Sequence, residues 1–443
     1  MTAPSAPPTA PRASAEPEER QMANTDGLRI EDLARPVFSP DAQRVLDRLA
    51  EDAPAHAFEP ERLMRAAVET ASAAHGRRLD DFGDPRFTEP LGIVCQDLNA
   101  EPALTGYGRT QFHREFTRML VQRLRLQDLL RRHPEIHDVR IRQPIIIVGL
   151  PRSGTTHLNN LLASDPRLRH LPLWEAIEPI PAPGDAPGAA LDAMTRRGRH
   201  RDMVTPHLRK MIDVAPTDAH EDAELLCLSF ASGLMEMRAP MPGYLEWYSG
   251  TDLRFAYEHL RTTLKALTWL RGGRRWLLKS PHHLDHLPEL KNVFPDAVVV
   301  FTHRDPAPAA ASLATMNAYM MRRRLYPVDL GAVGRHWRRR IEELLRKMQE
   351  HRALFADEQS VDVVFHRYMA DNLATAHDIY RVAGQPFTPQ TRAALRAYLD
   401  GHVRHRHGRI DYRLSDFSLD PTELRVGLSS YTTRFGVQEE PIR

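Results

Sequence analysis

Only two cysteines, Cys95 and Cys227, occur in 443 residues, too few for a disulfide framework and suited to a reducing compartment. No apolar run approaches the roughly 18 residues of a membrane span. The opening MTAPSAPPTAPRASAEPEER lacks the apolar segment of a signal peptide. An excess of one charge is missing as well. The chain has 60 Lys and Arg against 58 Asp and Glu, a formal charge of +2, so bulk electrostatics make no case for nucleic acid or an anionic membrane. Basic function, if present, has to be local. The 42% hydrophobic and 27% charged residues describe a soluble globular protein, read as cytoplasmic and, at this length, as more than one structural unit.

Residues 1–25 are rich in Pro, Ala and Ser without apolar periodicity and read as disordered. From residue 39 to about 75 the pattern is helical, with Ser39 as N-cap, Pro40 as first helical residue, and Val45, Leu46 and Leu49 as an apolar stripe. A second helical pattern repeats Phe116, Leu120, Leu124 and Leu129 until Pro134 stops it. Residues 26–140 therefore read as a helical N-terminal region.

Beyond it the texture changes. PIIIVGL, RRWLLKS (residues 274–280), AVVVFTH (297–303) and VDVVFHRY (361–368) are short apolar, β-branched runs of the kind found in buried parallel strands. Helical patterns separate them, over Thr155–Ala163, residues 255–270 and the Arg-rich GRHWRRRIEELLRKMQEHRALF. Such alternation implies βαβ units, an α/β domain over residues 141–443, and ligands at the carboxyl ends of the strands. EPIPAPGDAPGAA reads as a loop, either a connector or a cover over a site.

The first strand runs into PRSGTT. Gly149 and Gly154 stand at the spacing of the two glycines in G-x-x-x-x-G-K-[ST], and Thr156 fills the last place. Thr155 stands where the lysine belongs; the nearest cation is Arg152, inside the loop. Backbone amides at a helix N-terminus still cradle an oxyanion, Arg152 offers a planar fork, and Thr155 and Thr156 add hydroxyls. A nucleoside triphosphatase also needs a carboxylate at a strand end for Mg²⁺, whereas AVVVFTHRD ends in Thr-His-Arg. A small anion held without metal is the expectation.

PRSGTT resembles the 5′-phosphosulfate loop of the sulfotransferase superfamily, whose second signature is a strand followed by Arg and, one or two helical turns later, Ser. VVVFTHRDPAPAAASL supplies Arg304 and Ser312 in those places. WLLKSPHHLDHLPELKNVFPDA and HGRIDYRLSDFSLDPTEL are similar to the bacterial branch, and the resemblance spans roughly residues 106–436. It implies a three-layer α/β, P-loop-like fold with a parallel sheet. It also implies an enzyme moving a sulfuryl group from 3′-phosphoadenosine-5′-phosphosulfate to a small-molecule acceptor hydroxyl, with no metal. Carried over by residue, Arg152, Ser153, Gly154, Thr155 and Thr156 would hold the 5′-phosphosulfate. Lys279 would bridge the donor sulfonate and the leaving phosphate. Arg304 and Ser312 would take the 3′-phosphate, with Arg409 and Arg406 in a late basic loop against it. Tyr368 is similar to a position near the adenine, or is a core tyrosine.

A proton acceptor is also needed, in practice His, Glu or Asp. Glu175, in LPLWEAIEP, is similar in placement to the catalytic glutamate of tyrosylprotein sulfotransferases and is the expected base. His282 is the rival, because cytosolic sulfotransferases place a histidine just after the corresponding lysine; here Pro281 takes that step, and His282 and His283 follow. His282 and His286, four apart with Asp285 near, lack H-E-x-x-H and are not expected to hold a metal. HEDAELL (residues 220–226) reads most simply as a helix start, with contact to the acceptor as the lesser reading. A P-loop kinase and a catalytically silent nucleotide-binding protein remain the competing classes.

Overall fold

The structure, a computed structural model, describes residues 27–51, 53, 58–402 and 406–442. The segment expected to be disordered, 1–25, lies outside them. Five strands, β1 (Ile145–Gly149), β2 (Leu168–His170), β3 (Arg275–Lys279), β4 (Val298–His303) and β5 (Ser360–Val364), form one sheet in the order β2-β3-β1-β4-β5. Every pairing is parallel.

The continuous apolar runs have a direct cause. All five residues of β1 and all six of β4 are buried, because helices cover both faces of the sheet. Alternate side chains along β1 enter different cores, as a period of two requires. Ile145 and Ile147 pack with Leu158, Leu161 and Tyr380. Ile146 and Val148 join a larger cluster that also holds Leu63, Phe112, Phe116 and Leu120.

Those last residues come from two of the four N-terminal helices, Pro40–Ala50, Pro60–His75, Thr88–Ala100 and Gly106–Arg132: Leu63 from the second and the others from the fourth. Ser39 caps the first by accepting from the Ala42 amide at 3.3 Å. Phe112 and Phe116 sit 6.4 and 6.5 Å from the Phe58 ring, and Phe116 meets Phe230 edge-on at 5.4 Å. The helical region thus shares a core with the sheet.

Two readings change. The run over 361–368 is strand only to Val364, and Phe365–Ala370 is helix. Val364 pairs with His303, the last residue of β4, so the chain beyond has no strand to bond to. The helix Thr88–Ala100 was not anticipated; it follows a turn in which the Asp84 side chain accepts from the Arg86 amide. Among the described residues no helix is long and apolar enough to cross a membrane.

Candidate active site

Three strand ends converge: those of β1, β3 and β4. β1 delivers Gly149 beside Thr302 of β4, so closely that a Cβ at Gly149 would run into Thr302. The loop then turns with Arg152 at φ 73° and Gly154 at φ 92°, both in the left-handed region that glycine adopts without strain. Ser153 Oγ fixes the turn, 2.6 Å from both Leu150 O and Thr302 Oγ1. Gly154 opens the helix Thr155–Ala163, whose first amides face the loop and suit an anion.

The two signatures meet here. Arg152 Nε donates to Ser312 Oγ at 2.9 Å, and Arg304 Nη1 donates to Arg152 O at 2.7 Å. Arg304 lies 4.1 Å over the Phe365 ring. Phe365 in turn stands 3.3 Å from where a Gly154 side chain would begin, with Tyr368 at 4.0 Å. Tyr368 is buried in the core beneath β1 and bonds to His157 through its hydroxyl. Arg304 also makes a two-pronged ion pair with Glu440, at 2.7 Å through Nε and 2.7 Å through Nη2.

Lys279 closes β3 in register with Ile147 of β1. Its side chain is 2% exposed, and its ammonium lies 2.6 Å from Glu221 and 3.4 Å from Thr156 Oγ1 of the loop. Burial pushes the Glu221 carboxyl up, but Lys279, His220 and His282 outweigh it and hold it below the ordinary value. Glu221 therefore stands at the candidate site beside Lys279, which a helix start alone does not require. A cap needs one acid, and HEDAELL has two before its helix. The second, Asp222, goes to His283 at 3.0 Å.

Glu175, the expected base, is held elsewhere. It is wholly buried in the helix Leu173–Ile177, where Arg169 clamps both carboxylate oxygens at 2.6 and 2.5 Å and Arg271 stands at 3.2 Å. These arginines stack on Trp276 and Trp174 at 4.6 and 4.9 Å. Both carboxylate oxygens are thus engaged by guanidinium groups, and among the described residues no bond joins Glu175 to the loop or to Lys279.

His282 is buried, and its Nδ1 has no hydrogen-bond partner among the described residues. Burial lowers its pKa, with Glu221 and Glu236 opposing, so the imidazole is neutral near pH 7. His283 is fully buried between Tyr257 and Asp222. His286 bonds to Glu289, and Asp285 accepts from Arg340, so these groups point to separate partners and do not converge. In the late basic loop, Arg406 pairs with Asp213. Arg409 is exposed and bonds through its carbonyl to the Leu28 amide at 2.8 Å. Neither arginine bonds to Arg304 or the loop.

Residues 144–389 match the model of the sulfotransferase family. The fold is similar to that of sulfotransferase STF9 from Mycobacterium avium, at 25% identity and a TM-score of 0.75 over 86% of this chain and 98% of that one. It is similar also to sulfotransferase STF1 from Mycobacterium tuberculosis, at 28% identity and a TM-score of 0.70 over 82% of this chain and 97% of that one. No curated protein matches the sequence. With more than half its length inside the family model and more than four-fifths of it matched in fold by two mycobacterial sulfotransferases, the chain belongs to the sulfotransferase superfamily, in its bacterial branch.

Proposed function

We propose that the protein transfers a sulfuryl group from 3′-phosphoadenosine-5′-phosphosulfate to the hydroxyl of a small acceptor by in-line displacement. The observation that carries this is the position of Lys279, between the loop hydroxyl of Thr156 and the carboxylate of Glu221. One cation there serves the leaving oxygen, and one base stands beside it.

The residues fit the donor. The loop amides, Ser153, Thr155 and Thr156 suit the 5′-phosphosulfate, and Gly154 leaves room where a side chain would meet Phe365. Arg304 and Ser312 suit the 3′-phosphate; the Glu440 carboxylate already stands on Arg304 as an anion would. Phe365 and Tyr368 flank the loop on the side left for the adenine. Lys279 and Arg152 stabilise charge on the leaving oxygens, and the good leaving group makes a metal unnecessary. Thr155 in place of lysine, and Arg304 in place of an acid, disfavour a kinase.

Glu221 takes the proton. Ion-paired to Lys279 it is a weak base, but once Lys279 turns to the donor the enclosed carboxylate loses its nearest cation and becomes more basic. Donor binding thereby primes the base. His282 is the second reading, favoured by its unpartnered, neutral Nδ1.

Calorimetry in a chelator tests the donor. Adenosine 3′,5′-bisphosphate is expected to bind without metal and in preference to ATP. A strict requirement for Mg²⁺ with ATP preferred would replace this reading by the kinase. Incubating enzyme, donor and a metabolite extract, then seeking products that gain a sulfonate by mass spectrometry, tests the transfer.

A further inference from the structure

Glu221 and Asp222 are neighbours in the chain with different partners. Glu221 receives the Lys279 ammonium at 2.6 Å. Asp222 turns inward, where its buried carboxylate stands 3.2 and 3.0 Å from His283 Nε2. His283 is equally buried and belongs to the short turn Pro281–Asp285, which follows β3 after a single residue. Its other ring nitrogen, Nδ1, lies 2.9 Å from the hydroxyl of Tyr257 on the helix Arg254–Arg271. A neutral imidazole with its proton on Nε2 satisfies all three groups: Tyr257 donates to Nδ1, and Nε2 donates to Asp222.

The Asp222 backbone is engaged as well, its amide donating to Lys279 O at 3.3 Å. Among the described residues, the segment 220–226 therefore meets the end of β3 and the turn after it through three polar ties. They are the ion pair of Glu221 with Lys279, the Asp222 amide on the Lys279 carbonyl, and the Asp222 carboxylate on His283. The flanking residues are tied to other elements. His220 N donates to Leu171 O at 2.7 Å, Ser232 Oγ to Ala223 O at 2.9 Å, and Arg238 pairs with Glu224 at 3.1 Å.

The three ties fare differently in the reaction. When Lys279 turns to the donor, Glu221 loses the contact that places it just as it has to accept a proton. The backbone bond is long, and weak by itself. The contact of Asp222 with His283 is sealed from water on both sides and survives the opening of the ion pair. Resting on the sulfotransferase reading above, we propose that Asp222 and His283 are positioning residues, whose bond holds Glu221 at the end of β3 after Lys279 has left it for the donor. Tyr257 keeps the imidazole in the tautomer that donates to Asp222. The cation is thereby free to move without carrying the base out of place, and a misplaced base loses rate steeply.

Hydrogen exchange at the Asp222 amide, resolved from overlapping peptides by mass spectrometry, tests this. Lys279→Met removes the ion pair, and Asp222→Leu removes the carboxylate but keeps the reporting amide. Each alone is expected to change the exchange rate less than about threefold, and the two together to raise it about 10- to 100-fold, because neither tie then covers for the other. Asp222→Asn keeps an oxygen for His283 and should restore slow exchange when combined with Lys279→Met. Where Asp222→Leu does not fold, His283→Phe breaks the same bond and takes its place. Effects that merely add, or an Asp222→Asn variant as labile as Asp222→Leu, overturn the proposal.

Saturating Asp222→Leu with adenosine 3′,5′-bisphosphate should reproduce the double variant, since the ligand draws Lys279 away, whereas the wild type stays protected. Exchange that stays slow in liganded Asp222→Leu would mean that Lys279 never leaves Glu221, and would overturn the role in the reaction. Failure of the bisphosphate to bind the wild type would instead sink the donor reading, and is read apart from the ligand-free variants.

Discussion

Glu440 receives two hydrogen bonds from Arg304, each 2.7 Å, 136 residues back along the chain. The tail that carries it is tied down as well. Its amide donates to Asp305 at 2.7 Å, and its carbonyl accepts from Arg425 at 2.6 Å. The guanidinium assigned to the 3′-phosphate therefore has a carboxylate of its own, which a bisphosphate has to displace. Glu440→Gln is expected to tighten adenosine 3′,5′-bisphosphate about tenfold, the order of one charged hydrogen-bonding partner, while adenosine 5′-phosphate is unaffected. Arg304→Ala should weaken the bisphosphate by about 1.5–3 kcal/mol. Weaker binding in Glu440→Gln would mean that the glutamate orients Arg304 for the phosphate.

The base is decided between neighbours of Lys279. Glu221→Gln preserves shape and removes basicity, so turnover should fall about 10²–10⁴-fold with bisphosphate affinity held. His282→Ala is the paired variant. Single-turnover rates near normal in Glu221→Gln, with His282→Ala inactive, would transfer the role to the histidine.

Glu175→Gln should behave in the opposite way. It leaves Arg169 and Arg271 facing a neutral amide in a buried place, at about 1–3 kcal/mol of stability. The rate per folded molecule should be unchanged. Urea titration reads the first and active-site-normalised turnover the second; lost turnover in fully folded protein would return Glu175 to the chemistry.

Acid should unfold the protein in part through Glu236. Burial pushes this carboxyl up, but Arg340 and His336 overcome it and hold it at about 2, below the ordinary 4.5. A depressed folded pKa adds stability that is complete above about pH 4.5 and lost as pH falls towards 2. Melting temperatures between pH 6 and pH 3 should drop more steeply in the wild type than in Glu236→Gln. Parallel curves would remove Glu236 from the acid transition.

The loop, β1, β3, β4 and the placement of Lys279, Arg304 and Ser312 were legible because each is a local string: an apolar run, a turn, then a charged residue at the strand end. Glu221 and Glu175 were not separable that way. Both are acids in connections between the loop helix and β3, and which one returns to Lys279 depends on the path of about a hundred intervening residues. The Glu440 contact and the bond between Asp222 and His283 were hidden for the same reason. Their partners lie far apart in sequence, and such pairs show only when the chain is folded.

The core shared by Ile146 and Val148 with Phe112, Phe116 and Leu120 limits how the gene can be cut. An expression fragment beginning at residue 141 would carry the loop and every strand, yet lose the part of the shared core that Phe112, Phe116 and Leu120 supply and uncover partners such as Phe230. Such a fragment is expected to precipitate. Grafting the site onto another scaffold, or fusing a reporter to its amino end, therefore has to start upstream of Ile30, which together with Leu33 already belongs to that core.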